Sequence, residues 1–275
     1  YLGYSYTYGP VVTQNHNTGF GWFLKSTELG NVDAFYQIGL AFEKGQGVAK
    51  DSQKGIRWYR KAAEAGKVDA LKRLCSLLAE SSENIDQIEE VYKWYLLLEK
   101  NNINDSDLMV KIGDKYTNLN EPIKATEWYR KAIEVGNAEA MLKLGRIYRD
   151  AEDYSQSIKL FQESAQLLNN EAMLELGMVY SLGLGAEKDE STSVQWYRKA
   201  AEAGNSRAMN IIGLQFLEGR SGVMQDIPKG IEWLRKSAEL GFSEGMLNLG
   251  KCYLEGIGVP KDTIIAVEWF QKAEK

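Results

Sequence analysis

The chain has 275 residues, of which 44% are hydrophobic and 26% are charged, and this balance excludes a disordered protein. The net charge of −5 and the wide spread of basic residues exclude the basic surface that nucleic-acid phosphates require. No apolar run reaches the length of a membrane span, and only four prolines in the whole chain favour long helices.

Taken in chain order, the sequence divides into eight predicted copies of one unit, which reads as helix A, a turn, helix B and a second short turn. Each copy is marked by an apolar–glycine step in helix A, replaced once by Leu74-Cys75, and by a tryptophan, replaced once by Leu160, in helix B. Two short amphipathic helices cannot bury their apolar faces alone, so the copies are expected to stack into a single solenoid covering residues 1–275. The predicted copies are 1–30, which is truncated at its start, and 31–66, 67–102, 103–136, 137–168, 169–204, 205–241 and 242–275.

The first copy begins within the motif, at Leu2-Gly3, so we expect the chain to be a segment of a longer protein. His16, the only histidine, is predicted in a surface turn of this copy. A turn histidine without positioned partners does not support acid–base or nucleophilic catalysis. No spaced group of metal ligands stands out either. We therefore predict no catalytic residue, no metal site and no cofactor.

The second copy shows the pattern most fully, with Ile38-Gly39 in helix A, a Gly-x-Gly turn from Gly45 to Gly47, and Gly66 ending helix B. Asp51 is the predicted N-cap of helix B, because its side chain can accept from an unpaired amide of the first turn. The residues in this cap position are Asn15, Asp51, Asp153, Asp189, Asp226 and Asp262, with Gln87 and Glu121 in the two other copies. The tryptophans are expected to pack between repeats rather than bind a ligand; they are Trp22, Trp58, Trp94, Trp128, Trp196, Trp233 and Trp269.

The three copies between residues 67 and 168 depart from this pattern. Cys75 replaces the motif glycine in the first of them, and all three lack the Gly-x-Gly turn. Two extra residues separate Asn102 from Leu108 relative to the other junctions. Cys75 and Cys252 form no CxxC pair and lie five copies apart, so both are expected to be buried free thiols.

The segment from Ala34 to Val48, followed by Asp51 and by the string from Trp58 to Gly66, resembles the Sel1-like repeat, a relative of the tetratricopeptide repeat. The resemblance extends over essentially the whole chain, and the copies from 103 to 168 look closer to ordinary tetratricopeptide repeats. It implies an all-α, right-handed α/α superhelical solenoid of about eight repeats. It also implies a non-catalytic scaffold or adaptor for protein–protein interaction.

Bacterial members of this family act in envelope processes, in host interaction or in the capture of secreted effectors. The resemblance therefore favours a bacterial protein in the periplasm or outside the cell over a cytoplasmic one. Its partner would be a protein or peptide, such as a secreted effector or a host factor, and not a nucleic acid. The alternative is a structural or regulatory domain attached to an enzyme or an envelope machine outside this segment.

In repeats of this kind helix A lines the concave face, so its variable positions, or an exposed end, are the predicted partner-binding surface. Several of these positions are apolar, as expected for a partner site, although packing of the leucines between helices would explain them equally well. By comparison with the tetratricopeptide pattern, the candidates are Tyr36, Leu40, Glu43, Lys72, Asp114, Arg146, Arg149, Met178, Asn210, Leu214, Leu217, Lys251 and Leu254.

Overall fold

The computed structural model describes residues 1–9 and 13–274, and this part of the chain forms sixteen α-helices and no strand. The predicted all-α class is confirmed. The chain divides into two compact units, Tyr1–Val135 and Gly136–Lys275. The helices of unit 1 are α1 Leu2–Tyr8, α2 His16–Glu28, α3 Val32–Lys44, α4 Ser52–Glu64, α5 Val68–Ser81, α6 Ile85–Lys100, α7 Ser106–Asn118 and α8 Pro122–Glu134. The helices of unit 2 are α9 Ala138–Asp150, α10 Tyr154–Gln166, α11 Asn170–Leu182, α12 Glu190–Glu202, α13 Ser206–Glu218, α14 Ile227–Glu239, α15 Ser243–Glu255 and α16 Thr263–Ala273.

Within each unit, every odd-numbered helix packs against the even-numbered helix that follows it, and each pair packs against the next. The odd-numbered helices correspond to the predicted A helices and the even-numbered ones to the B helices. The junctions from a B helix to the next A helix within a unit contain three residues, except for the five residues 101–105 between α6 and α7. The structure thus confirms the two extra residues predicted at that junction.

Side-chain caps begin the B helices where the sequence predicted them. Six predicted Asp and Asn residues each accept a hydrogen bond from a backbone N–H of the first turn, and Glu121 precedes Pro122 at the helix start without a side-chain cap. The Gln87 assignment is wrong, because α6 begins three residues earlier and its N-cap is Asn84, which accepts from the Gln87 N–H at 3.0 Å. His16 is also misplaced by the sequence, since it is the first residue of α2 rather than a turn residue.

The apolar–glycine steps are the points where a B helix crosses its A helix closely. A Cβ atom on Gly39 would lie 2.7 Å from the ring of Tyr59, and one on Gly177 would lie 2.5 Å from the ring of Tyr197. Real Cβ atoms do not approach this closely, so glycine is required for the large side chain of helix B to reach the core. The other steps with the same contact are Gly3 with Phe23, Gly113 with Tyr129, Gly145 with Phe161, Gly213 with Leu234 and Gly250 with Phe270.

The tryptophans lie at the margin of the core rather than at its centre. Trp128 is buried and Trp22 is 37% exposed, while the remaining five are half-buried. The residue after the tryptophan, such as Tyr59 or Tyr95, takes a buried position in six of the seven cases, and Phe270 after Trp269 is half-buried. The tryptophans therefore pack at the edge of the core, and most of the indole rings remain partly accessible to a neighbouring side chain.

Candidate functional site

The candidate residues all lie on A helices, at fixed places relative to the glycine that packs on helix B, or to Cys75 in its place. They occur three residues before it, one residue after it or four residues after it, which puts them on one helical face. We call this surface the A face of each unit. In unit 1 it carries Tyr36, Leu40, Glu43, Lys72 and Asp114, and in unit 2 it carries Arg146, Arg149, Met178, Asn210, Leu214, Leu217, Lys251 and Leu254.

A carboxylate network occupies the A face of α3 and α5. Glu43 accepts hydrogen bonds from the Tyr59 hydroxyl at 2.7 Å and from Arg73 Nε at 2.9 Å, and it also pairs with the Arg73 Nη2 atom. The hydrogen bond from Arg73 lowers the pKa of Glu43 below its usual value, with burial opposing and Tyr59 assisting. Lys72, next to Arg73, is exposed, and Leu40 is half-buried. The network fixes a charge pair at this point of the face.

The hydroxyl groups of buried tyrosines on the B helices reach polar residues of the A helices. Tyr129 Oη donates to Asp114 Oδ1 at 2.7 Å and lies 3.1 Å from Thr117 Oγ1. Tyr197 Oη lies 3.4 Å from Ser181 Oγ. Glu43, Thr117 and Ser181 all lie four residues after the packing glycine. A polar residue at that position therefore satisfies the hydroxyl of the tyrosine below it.

Three tyrosines lie near one another on α1 and α3, and we call them the tyrosine cluster: Tyr4 and Tyr36, which take A-face positions, and Tyr8, which follows Gly3 by five residues. Tyr4 and Tyr8 are 41% and 47% exposed, and their rings lie 6.2 Å apart. Gln37 joins them, accepting from Tyr8 Oη at 3.1 Å and donating to Tyr4 Oη at 3.2 Å. Burial, followed by the proximity of Tyr4 and Tyr36, raises the pKa of Tyr8.

The sequence identified only Tyr36 among these three. Tyr4 and Tyr8 lie in the truncated first copy, for which no candidate was named. The register set by Gly3 would have found Tyr4, since it follows that glycine by one residue, as Leu40 follows Gly39.

In unit 2, the two arginine candidates form ion pairs within the protein. Glu175 on α11 is only 3% exposed and accepts from Arg146 Nε at 2.6 Å and from Arg149 Nη1 at 2.5 Å. Arg146 also donates to Glu171 at 3.0 Å, and Arg149 donates to Asp150 at 2.9 Å. Both guanidinium groups are therefore largely neutralised by neighbouring carboxylates.

The apolar candidates of unit 2 differ in exposure. Met178, Leu214 and Leu217 are half-buried and pack against hydrophobic core clusters. Leu254 is 40% exposed, as is the neighbouring Leu247 at 39%, a residue the sequence analysis did not single out. Packing between helices thus explains the first three, whereas α15 leaves two leucines open to solvent.

The polar candidates on α13 and α15 also differ. Asn210 is buried and accepts from Asn248 Nδ2 at 2.9 Å, which ties α13 to α15. Lys251 is exposed and lies between Leu247 and Leu254 on the same helical face.

Over residues 1–9 and 13–274, no group of three or more His, Cys, Asp or Glu side chains is placed to hold a metal ion. None of the helices described there combines the length and apolar character needed to cross a membrane. Cys75 and Cys252 are both buried and free, as predicted.

Paired helices stacked through glycine–aromatic contacts define a helical-repeat protein of the tetratricopeptide type. The Sel1 repeat matches residues 1–31, 32–67, 119–137, 170–205, 206–242 and 243–275, and a tetratricopeptide repeat matches residues 139–166. The chain therefore belongs to the Sel1 repeat family. The tetratricopeptide match falls in one of the copies predicted to be closer to that repeat. Proteins built from such repeats commonly serve as scaffolds for protein–protein interaction.

Two solved structures share the fold of this chain. The Sel1 repeat protein from Oxalobacter formigenes is 24% identical, with a TM-score of 0.83 over 99% of this chain and 81% of that one. Yeast Tom70 is 13% identical, with a TM-score of 0.54 over 93% of this chain and 58% of that one. These similarities concern the fold. No curated protein sequence matches the chain.

Proposed function

We propose that this protein is a non-catalytic scaffold that binds a protein or peptide through its A face, with the tyrosine cluster as the main contact in unit 1. The observation that carries the proposal is the exposure of Tyr4 and Tyr8 beside Tyr36. Tyrosine is enriched in binding hot spots, because its ring buries a large area while its hydroxyl forms hydrogen bonds. Among the A-face candidates named from the sequence, Lys72 in unit 1 is exposed, and in unit 2, taken by itself, Lys251 and Leu254 are exposed.

The kind of partner is part of the same proposal. The family resemblance supports a bacterial protein whose partner is a secreted effector or a host factor. Because Arg146 and Arg149 are paired with Glu175, we do not assign them the capture of an acidic partner. Contacts to the tyrosine rings and their hydroxyls would carry recognition instead.

Peptide selection tests this proposal with a defined probe. The full chain is immobilised, peptides are enriched from a random phage-displayed library, and their dissociation constants are measured with the purified chain. We expect selected peptides to bind at least about tenfold more weakly to the Tyr8→Ala and Tyr36→Ala variants, a loss of about 1.4 kcal/mol. Arg57→Ala, an exposed change on α4, is the matched control and should leave binding unchanged. Selected peptides that bind all four proteins equally would contradict the proposal.

A further inference from the structure

The outer side of the B helices carries a repeated cation–aromatic pair that is missing from α6. Six of the seven tryptophans are followed three residues later by a lysine whose ammonium lies 4.3–5.3 Å from the indole centroid. After Trp94 on α6, the corresponding residue is Leu97. The indole N–H of Trp94 instead donates to Glu90 at 3.3 Å. One face of Trp94 is thus left without the cation that covers the other indoles.

A second basic residue is also replaced on α6. The string Trp-Tyr-Arg-Lys occurs on α4, α8 and α12, whereas α6 reads Trp94-Tyr95-Leu96-Leu97. Leu96 and Leu97 are 41% and 40% exposed, and Tyr92 beside them is 39% exposed. The change from two cations to two leucines leaves an apolar stripe where the related helices present charge to water.

Two grooves border this stripe within unit 1. A cavity of about 440 Å³ is lined by Tyr92, Leu96, Tyr116 and Trp128, with charged side chains at its rim. On the other side, a cavity of about 570 Å³ includes Trp94 and Leu97 in its lining. The leucines therefore lie on a ridge between two recesses into which side chains of a partner could insert.

The charges of α6 distinguish between occupants of this surface. Three of its carboxylates are paired with neighbouring helices: Glu89 with Lys124 at 3.1 Å, Glu90 with Arg60 at 2.6 Å and Glu99 with Lys131 at 3.0 Å. Its two lysines, Lys93 and Lys100, are exposed and form no ion pair within the described residues.

The positions of these lysines complete the pattern. Lys93, Leu96, Leu97 and Lys100 follow the spacing i, i+3, i+4 and i+7, so the lysines flank the leucines on one helical face. We propose that this face, the α6 ridge, binds an amphipathic helix of a partner protein whose apolar stripe is flanked at both ends by carboxylates.

A second copy of the chain does not fit the same ridge. In a parallel pairing, Lys93 would face Lys93, and in an antiparallel pairing it would face Lys100, so either arrangement brings like charges together. An acidic-ended helix places opposite charges at both positions. The α6 ridge lies on a B helix and is therefore independent of the A face described above.

The probe for this proposal is a synthetic, fluorescently labelled helical peptide of about 18 residues, with leucines at i, i+3, i+4 and i+7 and glutamates at both ends of that stripe. A peptide with lysines in place of those glutamates is its control. Fluorescence anisotropy with the full chain is expected to show binding of the glutamate peptide and binding at least about tenfold weaker for the lysine peptide.

Variants of the chain test whether the glutamate peptide binds at the α6 ridge. The L96R/L97K double change restores the string used on three other B helices, so it should fold, and it is expected to weaken binding at least about tenfold. K93E/K100E should reverse the preference between the two peptides. Arg198→Ala with Lys199→Ala, at the same positions on α12, should have no effect.

The proposal is overturned by equal affinity for the two peptides, by undiminished binding to the L96R/L97K variant, or by no binding at about 1 mM peptide. Binding of the chain to phosphatidylserine vesicles, lost in L96R/L97K, together with no binding of either peptide, would also overturn it. That outcome would assign the α6 ridge to a membrane surface.

Discussion

At the scale of single residues, the buried tyrosines show how the core and the A face depend on each other. Glu43 accepts from Tyr59, and Thr117 and Ser181 lie within hydrogen-bond distance of Tyr129 and Tyr197. Tyr95 is the exception, because the corresponding position four residues after Cys75 is Ala79. Its hydroxyl is buried and has no hydrogen-bond partner among the described residues. An unsatisfied buried hydroxyl is unfavourable to folding.

Tyr95→Phe is therefore expected to stabilise the protein by about 1 kcal/mol, since it removes the orphaned hydroxyl and keeps the packed ring. The matched change, Tyr59→Phe, should destabilise by about 1–2 kcal/mol, because it removes a donor to the charged Glu43. Urea unfolding followed by circular dichroism measures both. A loss of stability in Tyr95→Phe equal to that in Tyr59→Phe would show that the Tyr95 hydroxyl is hydrogen-bonded.

At the scale of helices, Glu175 holds α9 and α11 together on the A face of unit 2. Its side chain is 4% exposed, while those of Arg146 and Arg149 are 37% and 27% exposed. A buried carboxylate is stable only when it is paired, and each arginine supplies a charge-assisted hydrogen bond. The arginines therefore have a structural role whether or not a partner also contacts them.

Glu175→Gln should destabilise the protein by about 2–3 kcal/mol, because two arginines lose a buried counter-charge and retain only partial access to water. Glu171→Gln, at a side chain that is 45% exposed, should cost less than about 1 kcal/mol. The urea midpoint of each variant measures the difference. Equal and small effects of the two changes would show that the buried ion pair does not stabilise α9 against α11.

The sequence predicted helix positions well where a local rule decides them. Asp51 and Asp153 cap helices because the interaction spans only three residues. Gln87 was placed wrongly, because α6 starts three residues earlier than its place in the repeat register indicated, at the equally suitable cap Asn84. The glycine register placed an apolar–glycine step on seven of the A helices, and the structure shows that the B helices cross there.

The candidate site was harder to predict, because its chemistry depends on contacts between helices. Nothing in the local sequence shows that Arg146 and Arg149 share Glu175, which lies 29 and 26 residues further along the chain. Leu217 was selected by position, yet it packs against the core of unit 2. Burial of this kind is set by the neighbouring helices, so periodicity alone could not separate Leu217 from the exposed Leu254.

At the scale of the whole molecule, each compact unit contains one buried thiol. Cys75 lies in unit 1 and Cys252 in unit 2. Burial, with the charge of Asp105 adding to it, raises the pKa of Cys75 to about 12. Burial, with Glu255 adding to it, raises the pKa of Cys252 to about 11. The thiolate is the reactive form, so neither thiol should react in the folded protein at pH 8.

Thiol labelling should therefore report the unfolding of each unit separately. Iodoacetamide at pH 8 is expected to leave both cysteines unmodified in buffer and to label each one as its unit unfolds in rising urea, as read by peptide mass spectrometry. Both thiols keep their protons in the folded protein, whereas in the unfolded protein they lose them near about pH 8.5. The free energy of unfolding should therefore fall as the pH rises above that value. Rapid labelling of either cysteine without urea would contradict its burial.

Some polar residues of the A face hydrogen-bond the hydroxyls of buried tyrosines on the B helices. This pairing limits which A-face residues can change when the protein acquires a new binding specificity. If Glu43 or Ser181 were replaced by an apolar residue to suit another partner, the buried hydroxyl of Tyr59 or Tyr197 would lose its hydrogen-bond partner. Each of these tyrosines lies sixteen residues after the replaced residue. Substitutions at these positions should therefore be inherited in pairs, with tyrosine exchanged for phenylalanine or leucine when the polar residue above it is lost. Leu217 above Leu234, and Leu254 above Phe270, already show the second form. Engineers who graft binding residues onto these repeats should alter both helices of a pair together.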